Sequence, residues 1–306
     1  MMQRQQRRFA RLIEFGAAWM LAFCVLTGPV WAGGHERLDE RTAEQQELAD
    51  RFLAFIERME DKYFGRMEEL NGETAYEEKY VTTDYAEWDM KVARGSVVEK
   101  GGRMLGMETK SPPNTPSRGD VVWGRFFSFD IHPKTPLVGQ IHAVILLQLY
   151  ADGTSGAAGW LGVMPGTRIA EDIDYLKETM DAVFARHGKD PSLYRQLICK
   201  GTEDTIFEFR RKPACVGASF YGPPVYREST SKSLDFLAEA YEEFTDAYFA
   251  TIERRKGDPV TEEDIAAQRR MRKEWLVDQL FSDPYASESV PFEVWFFGNV
   301  APVIHF

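Results

Sequence analysis

The strongest constraint on this chain lies in its middle. Trp123 to Ile131 and Ile141 to Tyr150 are two β-prone runs, and the second, IHAVILLQLY, is too uniformly apolar to leave a solvated face. Such a strand has to be covered on both sides. His132-Pro133 and Pro136 make the connection between the runs, since proline brings no ladder donor. The cover must come from elsewhere in the 306 residues.

Helical periodicity on either side provides it. From Leu38 to Leu70 the apolar residues Leu48, Phe52, Phe55, Ile56, Met59 and Tyr63 recur at three and four, which predicts a long amphipathic helix. Asp235 to Lys256 is a second, with Leu237, Tyr241, Phe244, Tyr248, Phe249 and Ile252 on one face. Glu262 to Phe281 is a third, and a further helix runs from about Glu171 to His187 until Gly188 ends it.

Lys91 to Thr109 reads as a hairpin turning at Lys100-Gly101-Gly102, and Gly153 to Gly159 as a small-residue turn. Ser111 to Arg118, with three prolines, reads as loop. Leu193 to Lys200, Thr205 to Phe209, Ala214 to Tyr221 and the closing Phe292 to Phe297 read as strands. This order predicts an α+β fold: a single domain with a large, mostly antiparallel sheet flanked by helices on both faces. The sequence shows no internal repeat and no GxGxxG, Walker A, CxxCH, HExxH or GxSxG motif.

The N-terminus stands apart. Arg4, Arg7, Arg8 and Arg11 precede an apolar stretch from Phe15 to Val30, and Val30-Trp31-Ala32 has the small-residue pattern of a signal-peptidase site. Residues 1–32 therefore read as an export signal cleaved after Ala32, leaving 33–306 as a periplasmic or secreted domain. The alternative is an uncleaved anchor, although the apolar run falls short of the ~20 residues that span a bilayer.

Removing four arginines and one glutamate with that segment leaves 33 basic residues against 47 acidic, a net charge of −14. That sign argues against nucleic acid as a partner. Two cysteines, Cys199 and Cys215, remain. In an oxidising compartment they form a disulfide or stay two separate buried thiols, and spacing alone does not choose.

His132 and His142 bracket the strand connection. On residue types alone they are two packed histidines or a pair that does chemistry. Metal ligation lacks a third ligand, because His187 and His305 fall at solvated positions.

Three segments, in order, resemble the oxygen-dependent coproporphyrinogen III oxidase family. RGSVVEKGGR is similar to that family's "DG-V-FEKAGV", SFDIHPKTPLVGQIHA to its "S-V-HP-NP-x4-HAN", and TIERRKGDPVTEEDIAAQRR to its "IVERRK-P" junction. The resemblance implies a tetrapyrrole or similar polycarboxylate ligand, no cofactor, molecular oxygen as co-substrate if the protein is an oxidoreductase of that type, and a homodimer. It places Ser128 and His132 among substrate-binding residues and His142 as the catalytic proton donor.

The departures are specific. The family's Asn and Arg after the second histidine are Val144 and Leu146 here, and its "ADLTP" segment is Val163 to Thr167. Its catalytic arginine falls at Cys215, its paired aspartates at Pro223 and Pro224, and its late "GGR" triplet near Ser289 to Pro291. Oxidative decarboxylation needs a base for a pyrrole N–H and cations for a propionate, so the family's own activity is expected to be very low or absent. Arg168, Arg210 and Arg211 are the candidates for a relocated carboxylate clamp, or else a solvated charge run. Two functions follow. One is an exported oxidase-type enzyme; the other is a non-catalytic protein that binds or scavenges tetrapyrroles.

Overall fold

The computed structural model describes residues 37–111, 119–199, 216–281 and 290–306. The export-signal expectation, the loop prolines, Thr205 to Phe209, Cys215, Arg210 and Arg211 lie outside the described residues.

Seven strands form one sheet, and each pairs antiparallel with the next in chain order. They are β1 (Ala75–Thr82), β2 (Ala86–Arg94), β3 (Val98–Glu108), β4 (Val121–Pro133), β5 (Gln140–Tyr150), β6 (Ser155–Met164) and β7 (Gly217–Ser219). The α-helices among the described residues are α1 (Ala43–Asn71), α2 (Ala170–Arg186), α3 (Ser192–Cys199), α4 (Thr230–Arg255), α5 (Glu262–Phe281) and α6 (Phe292–Gly298).

Every residue of β4 is buried, so the alternation of its side chains defines two covered faces. Phe127, Phe129 and Ile131 join the apolar stripe of α1 and residues of α2 and α4 in the larger core. Tyr63 of α1 meets Phe129 edge-on at 5.8 Å. Tyr248 of α4 donates to the Gly139 carbonyl at 2.7 Å. On the opposite face Phe126 packs with Trp88, Met104 and Val144 beneath Met271 and Trp275 of α5 and Val294 and Trp295 of α6. The sheet thus has helices on both faces, as the apolar runs require.

Local signals fix the long helices. Thr42 caps α1 by accepting from the Gln45 amide, and Gln45 returns the contact to the Thr42 N–H, so two orphan donors are satisfied at once. Gly72 ends α1 with φ of 72°, a conformation that costs glycine little.

Four expectations are corrected. Lys100-Gly101-Gly102 is not a turn but the interior of β3, and the chain turns at Gly95, whose amide donates to Val98 O at 2.9 Å. The glycines answer a tertiary need, because a Cβ on Gly102 would sit 1.9 Å from the Gly298 carbonyl oxygen. Ser155 to Gly159 belong to β6 rather than to a turn. Leu193 to Cys199 is helical, within α3, and Asp190 accepts from the Ser192 amide at 2.9 Å at its start.

The closing segment is helix α6, not a strand. Phe292 and Phe296 face solvent four residues apart, while Val294, Trp295 and Gly298 are buried. β1 carried no signal, since all but one of its residues are exposed and the remaining one is half-buried.

Candidate functional site

The face of β4 that carries Phe126 also carries Ser128, Asp130 and His132, because alternate residues share a side. Cross-strand register then builds a grid. One row runs Gly102, Asp130, His142, Gly162 and Gly217; the next runs Met104, Ser128, Val144, Trp160 and Ser219. A third joins Gly106, Phe126, Leu146 and Ala158.

At the centre is a carboxylate–imidazole pair. His142 Nδ1 lies 2.9 Å from both oxygens of Asp130, and Asp130 is fully buried. A buried carboxylate needs such partners. Nδ1–H donates to the carboxylate, so in the neutral ring the lone pair lies on Nε2. The side chain of His142 keeps 12% exposure, and Nε2 has no hydrogen-bond partner among the described residues.

Asn299, just past α6, holds the pair from the other side. Its amide donates to Asp130 Oδ2, and its backbone carbonyl accepts from His132 Nε2 at 2.8 Å. Lys100, opposite His132 across β3 and β4, donates to the carbonyl of Val300. Residues 298–300 are therefore fixed to the sheet through Gly102, Asp130, His132 and Lys100.

The electrostatics follow from burial. Desolvation holds His132 well below its ordinary value, reinforced by the charges of Lys100 and Arg272 and opposed by the Asn299 carbonyl and Gln140. Lys100 is pushed down to about 7 by burial, with Arg94 adding to the fall and Asp130 opposing it. His132 packs edge-on against Trp275 at 6.1 Å and is 1% exposed. Neutral His132 is the form this surrounding favours.

The two halves of the face differ in cover. Over β2 to β4 the helices α5 and α6 bury Trp88, Met104 and Phe126. Over β5 and β6 the cover thins: His142, Leu146, Gln148, Gly156, Ala158 and Trp160 are all half-buried. Tyr221, 43% exposed, lies with its ring 6.4 Å from that of Trp160. His142 sits at the border, above a floor of small and apolar residues.

Ser128, His132 and His142 thus share one face, but only His142 reaches the thinly covered half. Ser128 is fully buried and its Oγ has no hydrogen-bond partner among the described residues. Arg168 is exposed in the connection between β6 and α2. His187 is not simply solvated, since its ring nitrogens meet Tyr226 Oη at 2.9 Å and Glu239 at 2.8 Å. Sequence reasoning missed Asp130, Asn299 and Lys100. The motif SFDIH held the signal for the first, because an aspartate between two apolar neighbours on a buried strand demands a partner. Among the described residues no group of three or more His, Cys, Asp or Glu is placed to hold a metal ion.

The molecule is thus an α+β protein with an antiparallel meander and an aspartate–histidine pair on one sheet face. No family model matches the chain. Curated relatives do. The oxygen-dependent coproporphyrinogen-III oxidase of Francisella philomiragia subsp. philomiragia is 23% identical over 235 residues, covering 69% of this chain and 74% of the relative. The same enzyme of Francisella tularensis subsp. novicida and of Francisella tularensis subsp. tularensis matches at the same identity and coverage. Among solved structures, tomato phytochromobilin synthase in complex with biliverdin is similar over 79% of this chain and 78% of its own, with 13% identity and a TM-score of 0.47. The sequence matches amount to a distant relationship with the oxygen-dependent coproporphyrinogen-III oxidases.

Proposed function

We propose that this protein binds a tetrapyrrole, or a similarly bulky polycarboxylate, over the half-covered face of β5 and β6, and that it performs little or none of its relatives' oxidation. The distant relationship supports the ligand class. The observation that carries the site is the Asp130–His142 pair, which shares its sheet face with the half-buried Leu146, Ala158 and Trp160. A flat, mostly apolar ligand covers such a floor with little loss of hydration.

What the residues can do is limited and definite. Asp130 fixes the ring and stabilises a positive charge on it, so Nε2 can accept a proton or, once protonated, give one back. Propionate binding needs cations. In the resemblance an arginine belongs where Leu146 stands, on the same face as His142, and the aspartates belong at Pro223 and Pro224, just past β7. Ser128 and His132 shape the buried end of the site, and Arg168, Arg210 and Arg211 supply the carboxylate contacts in this reading. Export rests on residues 1–32, and the homodimer on resemblance alone.

The second reading, an oxidase-type enzyme consuming molecular oxygen, is favoured by the same pair, because it offers an acid–base group. The purified protein in air with coproporphyrinogen III separates the two. Expected are binding that weakens with salt, a larger loss for Arg211→Ala than for His187→Ala, and no decarboxylated product. Turnover on the order of 1 per second, ordinary for enzymes, would establish the enzyme instead. Absence of any porphyrin or porphyrinogen binding would remove both.

A further inference from the structure

We propose that the preferred ligand carries a metal: an iron tetrapyrrole whose iron is held axially by His142 Nε2, with Asp130 as the positioning residue. This rests on the reading of the β5–β6 face as a tetrapyrrole site and narrows its ligand.

Four observations converge. A metal-bound histidine characteristically donates its other ring N–H to a carboxylate, which sets the tautomer and raises the basicity of the ligating nitrogen. His142 Nδ1 does so to both oxygens of Asp130 at 2.9 Å. Asp130 cannot swing away, because it is fully buried and held by Asn299, whose carbonyl is in turn fixed by His132. The coordinating nitrogen is therefore aimed before any ligand arrives.

Next comes room. The cross-strand neighbour of His142 on the β6 side is Gly162, and the neighbour beyond that is Gly217. On the β6 side of that row no side chain adjoins the imidazole, whereas Trp160 in the next row and Leu146 in the row beyond it supply half-buried apolar surface. Gly162 and Gly217 are themselves buried, so a macrocycle reaching the ring lies over the half-buried Leu146, Ala158 and Trp160.

The last observation is a count of ligands. The described residues hold no group of three or more His, Cys, Asp or Glu fit for a bare metal ion. A tetrapyrrole brings four nitrogens of its own, so one imidazole completes a five-coordinate iron. The reaction is a simple association: the Nε2 lone pair fills the axial position and a bound water leaves. Nothing is oxidised or reduced.

The experiment titrates the full-length protein with two probes that differ only in the metal, ferric coproporphyrin III and metal-free coproporphyrin III, by absorption and fluorescence. The expected result is tighter binding of the ferric probe, with a Soret shift typical of histidine ligation. His142→Ala should weaken the ferric probe at least tenfold more than it weakens the metal-free probe, and added imidazole should restore the spectrum. Asp130→Asn should lose about 10- to 100-fold in affinity, the usual cost of an outer-shell partner, and lower the iron–histidine stretching frequency of the reduced complex. If Asp130→Asn does not fold, the imidazole rescue of His142→Ala still decides. Equal binding of both probes, or ferric binding untouched by His142→Ala, overturns the axial ligand and leaves the tetrapyrrole site standing. Failure to bind either probe overturns both.

Discussion

Lys100 gives the sharpest test of how this face is assembled. It is 3% exposed, lies opposite His132, and donates to the Val300 carbonyl. Burial brings its amine from 10.5 to about 7, with Arg94 lowering it further and Asp130 and Glu77 raising it. In the unfolded chain the lysine keeps its proton up to its ordinary value, so between these limits the unfolded state binds more protons than the folded one. Stability tied to Lys100 therefore rises with pH through this window and is lost on acidification toward 7. Between pH 7 and 9.5 the gain amounts to about 3 kcal/mol.

Replacing Lys100 with Met keeps the apolar stem and removes the titration. Urea denaturation at several pH values, wild type against Lys100→Met, reads the difference directly. The groups common to both cancel, and staying above pH 7 keeps His132 neutral. The stability of the wild type relative to the variant should climb by about 3 kcal/mol across the range. Parallel curves would refute the reasoning by showing Lys100 to be charged and solvated when folded.

Two further outcomes follow from the same face. Gly102→Ala puts a methyl against the Gly298 carbonyl, so the C-terminal segment must move; thermal unfolding should show a loss of about 1 to 3 kcal/mol, and an unchanged midpoint would mean that α6 is not seated there. Ser128→Ala removes a buried hydroxyl that has no partner among the described residues, so stability should stay within about 1 kcal/mol or rise. A loss above that would show the hydroxyl to be bonded.

What the sequence disclosed depended on whether one element's own pattern decided its structure. α1 and α4 lie against the sheet with one apolar stripe each, so spacing alone revealed them. β4 and β5, covered on both faces, were legible as unbroken apolar runs. β1 has no buried face and so had no period to read. Gly101 and Gly102 were misread as a turn because their cause is distant: Met67 and Gly298 press on the strand there. The site divides in the same way. Ser128, His132 and His142 stood out by residue type and resemblance, whereas Asp130 was missed although its place among apolar neighbours held the signal. Asn299 could not be found, since its contact to Asp130 spans 169 residues and leaves no local trace.

The strict chain order of the sheet has a consequence for synthesis. Each strand pairs with the one made just before it, so from β1 to β6 the loop closures stay short and the meander can grow as the chain emerges. Asp130 and His142, twelve residues apart, can meet as soon as β5 has been made. Asn299 and Val300 come off the ribosome some 10 to 30 s later at ordinary elongation rates of roughly 5 to 20 residues per second. During that interval the imidazole and its carboxylate face the solvent without their C-terminal fastening. A ligand loaded while the protein is being made would meet a pair free to adjust, whereas one arriving afterwards meets it already fastened by Asn299.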